Sequence, residues 1–97
     1  MKSIDEIMSE ESLIEQLMEE CGELVQAGAK RLRILRGESP TPVTKIQNIR
    51  NLTEELGDVS LCIGVLCDKL QIREDVHNVA KVKEERWEQR LNDLHTA

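Results

Sequence analysis

Two acidic patterns dominate the 97-residue chain: Glu19-Glu20-Cys21-Gly22-Glu23-Leu24 and Glu54-Glu55-Leu56-Gly57-Asp58-Val59. Each consists of two acids, a free position, a glycine, a third acid and an aliphatic residue. In a helix the second and third acids, three positions apart, project from one face, so each copy aims a pair of carboxylates one way. If the chain reverses at the breaker-rich Gly37-Glu38-Ser39-Pro40-Thr41-Pro42, the two helices run antiparallel with their turn near Ser39. Glu20 and Asp58 are then equally far from the turn, as are Glu23 and Glu55. Four carboxylates meet at one level of a helical hairpin.

Such a cluster repels itself. Two like charges about 5 to 6 Å apart, at an effective dielectric of about 20, cost roughly 3 kcal/mol. Surface acids usually have a basic neighbour three or four positions away, as Glu54 has Arg50 and Glu85 has Lys81, but Glu20, Glu23, Glu55 and Asp58 have none. The expected occupant is a cation. Hard oxygen donors without His or Cys select Mg²⁺ or Mn²⁺ over zinc or copper. Ions of this kind travel with polyphosphates, polarise a phosphoryl oxygen and activate water. The chemistry implied is hydrolysis of a phosphoanhydride, with the metal handling the phosphates because the chain has no Walker-type glycine loop.

The elements that must position these acids are helices. With 39% hydrophobic residues, no Phe or Tyr and the lone Trp87, a single domain's core must be Leu, Ile and Val, which suits aliphatic helix packing. Ser3 with Glu6, and Ser12 with Glu15, fit the capping-box pattern, so helix begins at either serine or a short turn leads into a longer helix. Leu13, Leu17, Cys21, Leu24, Gly28, Leu32 and Leu35 then recur at helical spacing, and Gly37 supplies a stop. The next helix starts at Thr41 with Pro42 in its first turn, or at Thr44, and carries the stripe Ile46, Ile49, Leu52, Leu56, Val59, Ile63, Leu66 and Leu70. Between Val59 and Leu70 it is apolar on the other faces as well, which implies a subunit interface there. After a break at Gln71 to Arg73, a last helix over about Glu74 to Leu94 carries Val76, Val79, Ala80, Trp87, Leu91 and Leu94. The expected fold is all-α: an antiparallel hairpin plus a C-terminal helix, one domain over residues 1–97, assembling into an oligomeric bundle.

Charge and cysteine content narrow the partners. Thirteen basic residues against 19 acidic give a formal charge of -6, which disfavours a nucleic-acid backbone. Cys21, Cys62 and Cys67 form neither a CxxC nor a Cys-His spacing, which points away from disulfides and structural zinc and toward a reducing cytoplasm. The start lacks the basic and apolar regions of a signal peptide, and the longest apolar run, Val59 to Cys67, is far short of the roughly 20 residues that span a bilayer. The basic residues are concentrated in Lys30 to Arg36 and Lys81 to Arg90, and Lys30, Lys81, Lys83 and Arg86 are the candidates for phosphate binding.

Glu19-Glu20-x-x-Glu23 followed by Glu55-x-x-Asp58 resembles the MazG family of all-alpha nucleoside triphosphate pyrophosphohydrolases, whose signature is a helical EExxE and, on the next helix, ExxD. The resemblance covers roughly Leu13 to Leu70. It implies a Mg²⁺-dependent enzyme that cleaves a nucleoside triphosphate between the alpha and beta phosphates, and an assembly of two or four copies. Carried over by position, Glu20, Glu23, Glu55 and Asp58 match the metal ligands, and Glu19 matches the leading acid, which binds a second ion or orients water. The segment between the motifs is longer than is usual in the family, and Trp87 alone is left to stack on a base. Two other readings fit the same residues: a phosphoribosyl-ATP pyrophosphatase-like enzyme, and a non-catalytic helical module that binds a metal or a partner.

Overall fold

The computed structural model describes residues 1–38 and 43–96. The alternative helix start at Thr41 and the centre of the breaker segment lie outside the described residues. Four helices and no strand make up the described chain: α1 (Ile4–Ile7), α2 (Glu10–Arg36), α3 (Lys45–Leu70) and α4 (Arg73–Thr96). The fold is all-α.

Local chemistry sets the helix ends. The Glu6 carboxylate reaches back to Ser3, accepting from its Oγ at 2.8 Å and its backbone N–H at 3.4 Å, which closes the single turn of α1. The long helix is then capped by Ser9 rather than by Ser12. The Ser9 Oγ accepts from the Ser12 backbone N–H at 3.1 Å, so Ser12, one of the alternative starts, instead supplies a donor inside the first turn, and a short turn leading into a longer helix is the arrangement found. Gly37 ends α2 in the left-handed region at φ 59°, donating to the Arg33 and Ile34 carbonyls. Thr44 caps α3 by accepting from the Gln47 N–H at 3.1 Å. Gln71 ends α3 in the same left-handed conformation without glycine's freedom, at φ 55°.

Helices α2 and α3 pack along most of their length as the antiparallel hairpin. On α2 the seam facing α3 is Leu13, Leu17, Glu20, Leu24, Ala27, Arg31 and Ile34; on α3 it is Asn48, Leu52, Glu55, Val59, Cys62 and Leu66, all buried or half-buried. This differs from the stripe that hydrophobicity marks on α3. Ile46, Ile49, Leu56, Ile63 and Leu70 of that stripe remain exposed, while Asn48 and Glu55 turn inward. A helix rotates about 100° per residue, so one position separates the two lines. The same offset occurs on α2, where Ile14, Met18, Val25, Leu32 and Leu35, each one position beyond the seam, are exposed. Because the helices are antiparallel, one step along each turns both sets to the same side of the hairpin. Residues one position before the seam, including Glu23, Lys30, Asn51 and Asp58, fall on the opposite side.

The core within one chain is thin. Among the described residues only Leu13, Ala27, Asn48, Val59 and Cys67 are buried, and full burial of a side chain such as Leu13 contributes about 1.5–3 kcal/mol. Short α1 packs on α3, where the Lys69 ammonium donates to the Asp5 carbonyl at 2.8 Å. Helix α4 touches α3 alone and buries none of its own side chains. Its departure is fixed by Arg73, which donates to both Asp68 carboxylate oxygens at 2.8 and 3.0 Å and to the Gly64 carbonyl at 3.1 Å. This holds the Asp68 carboxyl below the usual carboxylate range. The apolar face expected on α4 is present as a pattern, but Val79, Trp87, Leu91 and Leu94 all stand in solvent within one chain. No helix among the described residues is long and apolar enough to cross a membrane.

Candidate active site

The carboxylates sit midway along the hairpin because their spacing matches its register. Glu20 and Glu55 occupy seam positions, where packing half-buries them, and Glu23 and Asp58 lie one position back, on the side away from the exposed apolar face. Glu20, Glu23 and Glu55 each offer an oxygen, and the three atoms lie within 4.8 Å of one another. Asp58 stands outside this set but beside Glu20, with which it lines a cleft. Glu19 is exposed on the same side.

The electrostatics are those of a site short of positive charge. Burial, followed by the proximity of Glu23 and Asp58, pushes the Glu20 carboxyl above the ordinary glutamate range. The Gln16 amide opposes this by donating to Glu20 Oε1 at 2.9 Å, which also fixes the carboxylate's orientation. The other oxygen, Glu20 Oε2, and its counterpart Glu55 Oε2 are both shut off from solvent and meet no hydrogen-bond donor. Buried acceptors are rarely left so. Oxygen-only donors, convergent spacing and two orphaned acceptors fit a hard divalent cation. The Cys62 thiol is likewise pushed up, by burial and then by Glu20 and Asp58, so it is a poor thiolate ligand.

The basic candidates separate. Lys30 lines a polar cleft with Glu23, Gln26, Asn48, Asn51 and Glu55. Lys81, Lys83 and Arg86 line neither cleft at the carboxylates and form no salt bridge with them among the described residues, and α4 has no packing contact with α2. Lys83 and Arg86 instead flank Trp87 on the open surface of α4. Of the four phosphate-binding candidates, Lys30 is the one that shares a cleft with the carboxylates within one copy. Helix α4 diverges from the hairpin after Arg73, and nothing in its sequence announces that direction.

Gln16 and Asn48 were not marked by the sequence. Asn48 is 2% exposed and its Oδ1 has no donor within reach. One signal was available: Asn48 lies two turns before Glu55 and shares its line on the helix, so a polar side chain occupies a position where packing alone would select Leu.

The sequence model of the MazG nucleotide pyrophosphohydrolase domain matches residues 8–93, and the chain belongs to that family. No curated protein and no solved structure matches the chain. The matched span includes α2, α3 and nearly all of α4, and contains every carboxylate of the cluster.

Proposed function

We infer that this chain is a Mg²⁺-dependent pyrophosphohydrolase of nucleoside triphosphates, with Mn²⁺ able to substitute, releasing nucleoside monophosphate and pyrophosphate. The observation that carries the reading is the convergence of Glu20, Glu23 and Glu55 oxygens within 4.8 Å, two of these residues with an orphaned buried acceptor, in a chain of the MazG family. Glu20, Glu23, Glu55 and Asp58 hold the metal, Gln16 keeps Glu20 turned toward it, and Glu19 orients water or holds a second ion. When bound, the metal supplies Lewis-acid polarisation of a phosphoryl oxygen and acidifies water. The water oxygen bonds to the alpha phosphorus and gives up its proton to solvent, and the bond from that phosphorus to the oxygen bridging it to the beta phosphorus breaks. The bridging oxygen leaves with pyrophosphate.

The active form is a homodimer or homotetramer in which the apolar side of the hairpin is covered by a second copy. Ile49, Leu56, Ile63 and Leu70 recur every seventh residue and are all exposed in one chain, which is the pattern of a helix seam awaiting a partner. Lys81, Lys83 and Arg86 then assist with phosphate from wherever assembly brings them. Cys21, Cys62 and Cys67, none paired, suit a reducing cytoplasm.

Hydrolysis in ¹⁸O-labelled water tests the bond that breaks. The label is expected in the nucleoside monophosphate and absent from pyrophosphate. Label in pyrophosphate, or nucleoside diphosphate as first product, overturns the mechanism.

A further inference from the structure

The carboxylate level opens into two clefts of opposite character. One, of about 210 Å³, is walled by Ile4, Leu13, Leu61 and Val65 and shares Glu20 and Asp58. The other, of about 360 Å³, lies toward the turn, contains Lys30, Gln26, Asn48 and Asn51, and shares Glu23 and Glu55. The acids therefore stand between an apolar cleft and a polar one. Among the described residues Lys30 enters no salt bridge although acids line the same cleft. Asn48 adds an independent observation. Its side chain is the most thoroughly buried of the described chain and one end of its carboxamide is unpaired. A carboxamide carries an acceptor at one end and a donor at the other, and in either orientation a buried polar atom beside the cleft lacks its partner, an arrangement that folding alone does not favour.

A nucleoside triphosphate has the same polarity as this groove. Its phosphate tail takes up cations and N–H donors, its base and sugar carbons take up apolar wall, and its alpha phosphate lies between. Lys30 and the amide groups of Gln26, Asn48 and Asn51 supply donors at the turn-side end, whereas the one side-chain amide lining the apolar cleft, that of Gln16, is engaged with Glu20. We propose that the substrate lies along the hairpin in one direction, with its beta and gamma phosphates in the turn-side cleft, held by Lys30 and Asn48, and its nucleoside toward Leu13, Leu61 and Val65. This rests on the reading that the carboxylates hold a metal–nucleotide complex, and it adds Asn48 as a phosphate-tail ligand and gives the substrate its direction.

Titration calorimetry in Mg²⁺ tests it, with inorganic pyrophosphate and the common nucleoside monophosphates as separate probes against wild type, Lys30→Gln and Asn48→Asp. Each substitution is expected to weaken pyrophosphate binding by about tenfold, the scale of one charge-assisted hydrogen bond, and to leave monophosphate binding within about twofold. Lys30 is exposed, so Lys30→Gln decides the matter if circular dichroism finds Asn48→Asp unfolded. Unchanged pyrophosphate binding, or a loss that falls equally on the monophosphates, overturns the assignment. If that happens while wild type still releases pyrophosphate from triphosphates, only the direction of binding is lost. A wild type that neither binds pyrophosphate nor hydrolyses any triphosphate removes the metal–nucleotide reading as well.

Discussion

Glu20 on α2 and Glu55 on α3 face each other across the hairpin, each with one carboxylate oxygen closed to solvent and without a donor, and with Glu23 they form a set spanning less than 4.8 Å. Two acids so placed oppose folding and favour a cation. The same arrangement that costs the hairpin stability prepares it for a ligand.

Neutralising a neighbouring acid should therefore separate activity from stability. Glu23→Gln or Asp58→Asn removes a hard oxygen ligand and one repelling charge together. Pyrophosphate release at saturating Mg²⁺ is expected to fall by at least about a hundredfold, the scale on which loss of one transition-state-stabilising group is felt. Melting in chelator should stay level or rise slightly. Near wild-type release by either variant removes that residue from the site.

Magnesium and pH should act on the same carboxyl. Glu20 is held above the ordinary glutamate range in the metal-free chain, so the folded state binds its proton more tightly than the unfolded state does. Its favourable contribution is complete below the unfolded value and is lost as pH rises through the raised folded value. Melting temperatures in chelator should show this loss across that window, and Glu20→Gln should abolish it. Bound Mg²⁺ should reverse the penalty. At a hundredfold excess over its dissociation constant it contributes about 2.7 kcal/mol, roughly 10 °C or more in a domain of this size. A chain whose melting ignores both Mg²⁺ and chelator does not hold the ion in this cluster.

The exposed side of the hairpin gives a third test. Val25 is 71% exposed and Leu56 49% exposed within one chain, so Val25→Glu or Leu56→Glu should barely perturb an isolated copy. Both should split the assembly, since a charge buried without a partner in an apolar seam costs several kcal/mol. Light scattering at micromolar concentration is expected to show a dimer or tetramer for wild type and monomers for the variants. A monomeric wild type rules out the assembly.

The two left-handed helix ends should respond in opposite directions. Gln71 holds φ 55° with a side chain that disfavours it, and the left-handed region costs a non-glycine residue about 1–2 kcal/mol. Part of that is recovered in Gln71→Gly, because glycine also loosens the unfolded chain, so a net gain of about 0.5–1 kcal/mol is expected by denaturant melts. Gly37→Ala, at φ 59°, should lose about 1 kcal/mol.

The hairpin was legible because its signals are local. Gly37 and Thr44 mark helix ends through bonds within four residues, and the two acidic patterns lie at matching distances from the turn. What the sequence concealed is the choice between neighbouring apolar lines. On α3 hydrophobicity favours Ile49, Leu56 and Ile63, yet the partner helix covers Asn48, Glu55 and Cys62. Apolar pattern reports that a surface is to be buried and not by which body, so a side that one chain leaves open reads the same as its core. Ser12 was misleading for a related reason, since Ser9 lies three positions earlier and offers the same hydroxyl one turn sooner. The direction of α4 depends on the clasp of Arg73 on Asp68 and Gly64, three residues that no periodicity connects.

That clasp leaves α4 attached at its beginning and free along the remainder. A 24-residue helix with no side chain buried in its own chain is held by backbone bonds and intrahelical pairs, which in water are only marginally sufficient. Its amide hydrogens should therefore exchange with solvent almost as fast as those of a fraying peptide whenever one copy is alone, while the amides near Val59 keep the protection of the whole domain. Slowing of that exchange over Val76 to Leu94 would record the moment at which another surface comes to rest on the helix.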